Sequence, residues 1–202
     1  MRSRRGGVRA PRQPLPVGSD NGAMTDPIET IRRLLAERVP ADRPAFIGVD
    51  GLSCAGKTTF ADRLAAQLGG DVVHGDDMSR PGRPLWEHER FVSEVYDAVR
   101  ADGAATYRRW HWTSEEPGEE LTVTRTPVVV EGIHVTDEAV DVPWDVRVWV
   151  SVDEDVRIER AREREGGARW QCWSTNWMPQ EAAYVEAQHP ETRADVLVDG
   201  AS

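Results

Sequence analysis

The feature that most constrains this chain is a glycine-rich turn between an apolar run and a helical pattern. Gly51 is followed, after four residues, by Gly56, Lys57 and Thr58. The apolar run at 46–49 predicts a strand, and the residues after the turn place apolar side chains four apart, at Phe60, Leu64 and Leu68. Strand, turn and helix in this order form the context of a phosphate-binding P-loop, rather than of a chance glycine-rich turn.

The chemistry of such a loop resides mainly in its backbone. Unpaired N–H groups at a helix start attract phosphate oxygens, Lys57 adds a positive charge, and the Thr58 hydroxyl is suited to a magnesium ion. Lys57 is the only lysine in the sequence. Because the broad guanidinium fork of arginine cannot replace a compact ammonium inside a tight loop, the position of this lysine favours a functional role.

Composition bounds the remaining possibilities. The 202 residues carry a net charge of -10 that is spread along the chain, which argues against nucleic acid as a partner. No apolar run is long enough to cross a membrane, and two isolated cysteines, Cys54 and Cys172, fit a reducing cytoplasm. Residues 1–23 are rich in Arg, Pro and Gly and are predicted to be a disordered basic tail, with a binding arm as the less favoured alternative. Residues 24–202 are then one domain; the oligomeric state is open.

Apolar segments alternate with helical patterns along this domain. Strands are predicted at 46–49, 71–74, 126–130, 144–152 and 194–198, with a short one at 105–108. Helices are predicted from Pro27, from the P-loop, over 85–101 and 154–165, and in a segment with Trp173 that is interrupted near Pro179. The polar and aromatic segment 110–118 is predicted to be a loop over a ligand. Alternating strands and helices imply an α/β sandwich of three layers, a mostly parallel sheet with helices on both faces.

Acidic residues follow two of the predicted strands. Asp76 and Asp77 come after strand 71–74, and Glu131 comes after strand 126–130. Ligands bind beyond the carboxyl ends of strands in open α/β sheets. Asp76 is therefore a candidate to accept the proton of a substrate hydroxyl, the alternative being a helix cap or a surface turn. Either Asp77 or Glu131 is a candidate to hold magnesium through water.

Three arginines lie three and four residues apart on the helix after strand 144–152. Arg157, Arg160 and Arg164 therefore share one helical face. Guanidinium groups in this place would neutralise charge in a transition state. The alternative is a solvated face whose arginines pair with neighbouring glutamates.

The order of these motifs resembles the uridine kinase and nicotinamide riboside kinase family over nearly all of residues 45–200. The resemblance implies a P-loop NTPase fold with a helical lid at about 157–180, ATP and Mg²⁺ as ligands, and Asp76 as catalytic base. It relates Glu131 to magnesium or catalysis and the arginines to the lid. The implied catalytic residues are Asp76, Lys57, Glu131, Arg160 and Arg164. The implied nucleotide-binding residues are Gly51, Ser53, Ala55, Gly56, Lys57, Thr58, Thr59 and Arg157, and the metal candidates are Thr58, Asp77 and Glu131.

Departures from the family pattern concern the acceptor. The aspartate that holds ribose hydroxyls in the family has Glu87 as its nearest counterpart, and the Tyr-Asp stretch near the nucleobase is replaced by the segment 107–112. Tryptophans in this region either stack on a ring or pack in the core. The predicted acceptor-binding residues are Asp76, Arg83, Glu87, Tyr107, Trp110 and Trp112.

These expectations together describe a cytoplasmic ATP-dependent kinase that phosphorylates a hydroxyl of a nucleoside or nucleoside-like molecule. One alternative is a phosphotransferase that inactivates an antibiotic by the same chemistry. Another, from a different class, is a nucleotide-hydrolysing switch. Asp76 argues against the switch, because attack by water needs no second substrate pocket.

Overall fold

The computed structural model describes residues 26–80 and 87–201, in which seven strands form two sheets. Five strands form a wholly parallel sheet in the order β2-β5-β1-β6-β7, and the other two form an antiparallel hairpin, β3-β4. In chain order the strands are β1 Phe46–Asp50, β2 Asp71–His74, β3 Ala105–His111, β4 Glu116–Val123, β5 Val128–Glu131, β6 Val146–Ser151 and β7 Val196–Asp199.

Helices connect the strands and cover both faces of the sheet. They are α1 Pro27–Arg38, α2 Lys57–Leu68, the single turn α3 Gly75–Met78, α5 Glu154–Glu165 and the single turn α7 Pro190–Arg193. Two longer helices each contain a π-helical segment in the middle. These are α4, made of His88–Phe91, Val92–Tyr96 and Asp97–Asp102, and α6, made of Gly167–Cys172, Trp173–Trp177 and Met178–Gln188.

Side chains alternate across the central strands and so divide the core into two layers. Ile47, Val49 and Val129 face α1 and α2, whereas Phe46 and Val128 face α4 and the hairpin. A third, smaller cluster joins Trp149 of β6 to Tyr184 of α6. This arrangement is the predicted sandwich, and it brings the carboxyl ends of all five parallel strands to one edge.

The prediction of a loop at 110–118 is wrong. β3 continues to His111, and β4 begins at Glu116, so only a short turn separates the strands. The segment lacks the apolar alternation of a half-buried strand. Polar side chains pair across the hairpin instead. Arg108 lies 2.8 Å from Glu120, and His111 Nε2 lies 2.8 Å from Glu119 Oε2.

Near Pro179, where an interruption was predicted, the π-helical segment Trp173–Trp177 ends and an α-helical segment begins at Met178. Pro179 lies in the first turn of Met178–Gln188, directly after the π-helical segment, and the chain stays helical through it. At the first turn of a helical segment the missing N–H of proline is tolerated.

Several predictions concern residues that the structure does not describe. The tail 1–23, Arg83 and the start of the helix predicted at residue 85 lie outside the described residues. Within the described ranges, none of the helices has the length and apolarity that a membrane span requires. Cys54 and Cys172 are not joined by a disulfide in the described part of the chain.

Candidate active site

A cleft of about 520 Å³ opens at the carboxyl edge of the sheet. The P-loop forms its floor, and α5 and the end of the chain form one side. Its lining residues are Ser53, Cys54, Gly56, Lys57, Thr58, Thr59, Phe60, Arg63, Asp76, Glu131, Gly132, Ile133, Arg160, Arg164, Trp177, Val198, Asp199, Gly200 and Ala201. The cleft thus gathers residues from six separate parts of the sequence.

The P-loop depends on its glycines for its shape. Gly51 has φ +152°, and a Cβ there would clash with the carbonyl of Val150. Gly56 has φ +98°, which side chains rarely adopt, and α2 begins at the next residue. Lys57 is 8% exposed, and its Nζ donates to the carbonyl of Leu52 at 2.9 Å. The Lys57 ammonium is therefore held beside the N-terminus of α2, where backbone N–H groups are also presented.

Thr58 and Glu131 meet on the floor of the cleft. Thr58 Oγ1 donates to Glu131 Oε1 at 3.2 Å, and His74 Nδ1 lies 2.8 Å from the same oxygen. The hydrogen bond with Glu131 raises the pKa of the His74 imidazole, against the opposing effect of burial. Magnesium is commonly held by one or two protein oxygens together with phosphates and waters. A hydroxyl and a carboxylate oxygen beside a phosphate-binding loop fit that requirement.

Asp76 reaches into the cleft from α3. Asp76 is exposed to solvent, and partial desolvation of its carboxyl group by the cleft is the largest cause of a raised pKa. The charge of Glu131 acts in the same direction, while Lys57 and Arg164 oppose it. A raised pKa brings a carboxylate closer to the working range of a general base.

The three arginines of α5 divide into two groups. Arg160 and Arg164 line the cleft, and Arg160 Nη1 donates to the carbonyl of Gly200 at 3.1 Å. Arg157 is 6% exposed and does not line the cleft. It donates instead to Glu181 on α6 at 3.0 Å.

The hairpin is tied to α3, which carries Asp76, by two contacts. Arg109 Nη2 lies 2.7 Å from Asp77 Oδ1, and Trp112 Nε1 donates to the carbonyl of Asp76 at 3.1 Å. Asp77 is 3% exposed and is therefore directed to the hairpin and not into the cleft. Among the described residues, no partner for Asp77 Oδ2 is present.

The other predicted acceptor residues occupy different environments. Tyr107 is buried in the core layer under the hairpin, and burial raises the pKa of its phenol. Trp110 is partly buried, and Trp112 is exposed. Glu87 accepts two hydrogen bonds of 2.8 Å from Arg80. None of these four side chains lines the 520 Å³ cleft.

Sequence reasoning did not single out several residues of the site. The last turn of the chain, 199–201, walls the cleft, and its place after β7 at the carboxyl edge of the sheet was the available signal. Arg109, His74 and Glu181 carried no such signal, because their roles arise from partners distant in the sequence.

Comparison with known proteins agrees with this architecture. The profile of the AAA domain family matches residues 47–172. The chain belongs to this family. The match includes the P-loop, Asp76, Glu131 and the arginines of α5, and it ends before β7 and the last turn that walls the cleft.

Similar proteins include kinases. The uridine kinase of Limosilactobacillus reuteri (strain DSM 20016) is 29% identical over 143 residues, which are 61% of this chain and 66% of that protein. The match therefore spans just under two thirds of this curated relative. The uridine kinase of Limosilactobacillus reuteri subsp. reuteri (strain JCM 1112) matches with the same values.

Solved structures share the fold. A possible uridine kinase from Bacillus stearothermophilus superposes with a TM-score of 0.62 at 20% identity, covering 86% of this chain and 98% of that one. A D-glycerate 3-kinase from Cryptococcus neoformans var. grubii gives a TM-score of 0.52 at 13% identity, with 86% and 87% covered. The α/β P-loop NTPase fold predicted from the sequence is confirmed.

Proposed function

We propose that this chain is an ATP-dependent kinase that transfers the γ-phosphoryl group to a hydroxyl of a nucleoside or nucleoside-like molecule. One observation carries the proposal. Asp76, a carboxylate with a raised pKa, lines the same cleft as Lys57 and the Thr58–Glu131 pair. A proton acceptor beside a phosphate-binding loop is what transfer to an alcohol requires.

Each residue then has a task. The N–H groups of the P-loop and Lys57 bind the phosphates, and Asp76 accepts the proton of the attacking hydroxyl. Arg160 and Arg164 neutralise charge that develops on the transferred group. When bound, magnesium would neutralise phosphate charge, and Thr58 and Glu131 are the residues that would hold it. Arg157 and Asp77 are engaged with Glu181 and Arg109, so we assign them to support of the site.

The nucleoside part of the proposal draws on the uridine kinases that the chain is similar to and on the hairpin beside Asp76. Trp110 lies on β3 and Trp112 directly follows it. The faces of aromatic side chains are suited to stacking on a planar ring such as a nucleobase. A helical lid at about 157–180 would include α5 and the first part of α6, which carry Arg160, Arg164 and Trp177 into the cleft.

The decisive experiment measures ADP formation with ATP and magnesium, with and without a panel of nucleosides. We expect ADP release to rise with at least one acceptor and a phosphomonoester to appear in stoichiometric amount by mass spectrometry. The Asp76→Asn variant is the control for enzymatic transfer. ADP release that no acceptor increases would contradict the proposal and favour hydrolysis. A second panel of hydroxylated antibiotics tests whether such a compound is the better acceptor.

A further inference from the structure

Glu181 is a fully buried carboxylate on α6 that lies behind the P-loop and outside the cleft. It is 1% exposed and accepts hydrogen bonds from the backbone N–H of Ser53 at 3.3 Å, from the Ser53 hydroxyl, and from Arg157 Nη1 at 3.0 Å. A buried carboxylate is stable only with hydrogen-bonding or ionic partners, and these three contacts supply them. It joins three separate elements, the P-loop, α5 and α6. We refer to it as the Ser53–Glu181–Arg157 network.

Arg157 is fixed from two directions. Glu181 holds its guanidinium at one end, and the ring of Trp173 lies beneath it, with 5.3 Å between the guanidinium carbon and the ring centroid. The residue is 6% exposed. A guanidinium that is both paired and stacked has few alternative orientations.

Few side chains of α5 are fully buried, although those of Val156, Ile158 and Arg160 are partly buried. Of the side chains that the structure describes in this helix, those of Arg157 and Ala161 are buried. A small apolar contact is not directional, whereas a charged hydrogen bond with a buried partner is. Arg157, Arg160 and Arg164 share one face of the helix, so the orientation of the first contributes to that of the other two, together with the hydrogen bonds from Arg160 to the carbonyls of Cys54 and Gly200.

We propose that Glu181 is a positioning residue for the phosphoryl-transfer site. Through Arg157 it fixes the rotation of α5 and thereby directs Arg160 and Arg164 into the cleft, and through Ser53 it holds the P-loop in register with them. This inference rests on the proposed function, because it assigns those two arginines to the transferred phosphate. Glu181 itself touches neither the cleft nor a reacting group.

The test replaces both buried charges, because removing one alone would leave an unpaired buried ion. The double variant Arg157→Met/Glu181→Gln keeps the approximate shapes and leaves no unpaired charge. We expect it to fold with a cooperative thermal transition. Its kcat should fall by about 10- to 100-fold, the usual effect of slightly misplaced catalytic groups, with a smaller change in the KM for ATP.

A double-mutant comparison separates positioning from a general loss of stability. In the parent protein Arg160→Ala should lower kcat strongly. In the Arg157→Met/Glu181→Gln background the same substitution should cost little more, because Arg160 is already misplaced. Glu186→Gln, an exposed glutamate on the same helix, is the matched control and should leave kcat unchanged.

A second measurement does not depend on turnover. Amide hydrogen exchange across α5 should become faster in the double variant, while β1 and β6 remain protected. Unchanged exchange in α5, parent-like kcat, or an equal effect of Arg160→Ala in both backgrounds would each overturn the positioning role. If the double variant does not fold, kcat and hydrogen exchange can be measured in Arg157→Lys instead. This variant keeps the positive charge but lacks the planar guanidinium group.

These outcomes are distinct from those that decide the proposed function. A protein that produces no phosphorylated acceptor would refute the kinase activity, yet the exchange of α5 would still test the network. Conversely, an active kinase in which Lys57→Ala is inactive and Arg157→Met/Glu181→Gln has the parent rate would refute only the role of Glu181.

Discussion

The P-loop and the β3–β4 hairpin lie on two sides of Asp76 and are held in place by different kinds of contacts. The P-loop is one continuous segment whose shape comes from glycine conformations and whose binding groups are mainly backbone N–H groups. The hairpin is placed by side chains, through Arg109 on Asp77 and Trp112 on the backbone of Asp76. If the proposed function holds, phosphate binding should be less sensitive to side-chain changes than acceptor binding, which would depend on individual side-chain pairs.

The largest effect is expected from the P-loop side of this comparison. Lys57→Ala removes the ammonium that the loop holds, and we expect turnover to fall by at least about 10³-fold with the fold intact. ADP formation and a thermal melt monitored by circular dichroism check both parts. Lys57→Arg is the matched variant and should also be strongly impaired, because the guanidinium is too broad for the loop. Parent-like turnover in Lys57→Ala would remove the assignment of the loop.

The next largest effect concerns the residue between the two sides. Asp76→Asn should lower kcat by about 10² to 10⁴ with little change in nucleotide affinity, since it removes a proton acceptor and not a phosphate ligand. Single-turnover kinetics and nucleotide titration measure the two quantities. Asp77→Asn is the neighbouring control and should act mainly on the acceptor side. An Asp76→Asn protein as fast as the parent would transfer the role to another carboxylate, with Glu131 the first candidate.

On the hairpin side we expect a change in acceptor binding. Arg109→Met leaves Asp77 buried without its ionic partner, which should cost about 1–3 kcal/mol of unfolding free energy. A shifted hairpin should raise the acceptor KM by roughly tenfold while the ATP KM stays constant. Arg108→Met is the control, because its partner Glu120 is exposed, and it should change stability by less than about 0.5 kcal/mol. If the KM for ATP rose together with the KM for the acceptor, the hairpin and the P-loop would not be independent of each other.

The smallest effect tests whether the sheet edge under the hairpin is stabilised by charge. Asp71 accepts hydrogen bonds from the backbone N–H groups of Thr124 and Arg125 and pairs with the Arg125 guanidinium. Although burial acts to raise the pKa of Asp71, these donors lower it below its usual value. The stabilisation is therefore present above the unfolded-state pKa of about 4 and is lost as pH falls through the lower folded-state pKa.

Asp71→Asn should accordingly reduce the unfolding free energy by about 1–2 kcal/mol at neutral pH. The difference from the parent should shrink as pH falls below about 4. Urea denaturation at a series of pH values measures it. Asp42→Asn, an exposed aspartate in the loop before β1, is the control. A difference that does not vary with pH would mean that Asp71 acts by shape and not by charge.

The sequence by itself determined the parts of the molecule whose chemistry is local. The P-loop was predictable because its glycines, its lysine and its helix start are adjacent along the chain. The start of α1 was predictable for the same reason, since Asp26 Oδ1 accepts from the backbone N–H of Ile28 two residues later. The parallel sheet followed from alternating strands and helices, and the position of Asp76 followed from the end of β2.

Only the tertiary structure decided which charged groups face the cleft and which are paired behind it. The same helical face holds Arg157 and Arg160, yet one is directed to Glu181 and the other to the cleft wall. Asp76 and Asp77 are likewise neighbours with different surroundings. Spacing along the chain defines a face or an edge, but the partner that desolvates and neutralises a charge is brought there by elements far away in the sequence. The energy of such a pair depends on that placement, and no local pattern encodes it.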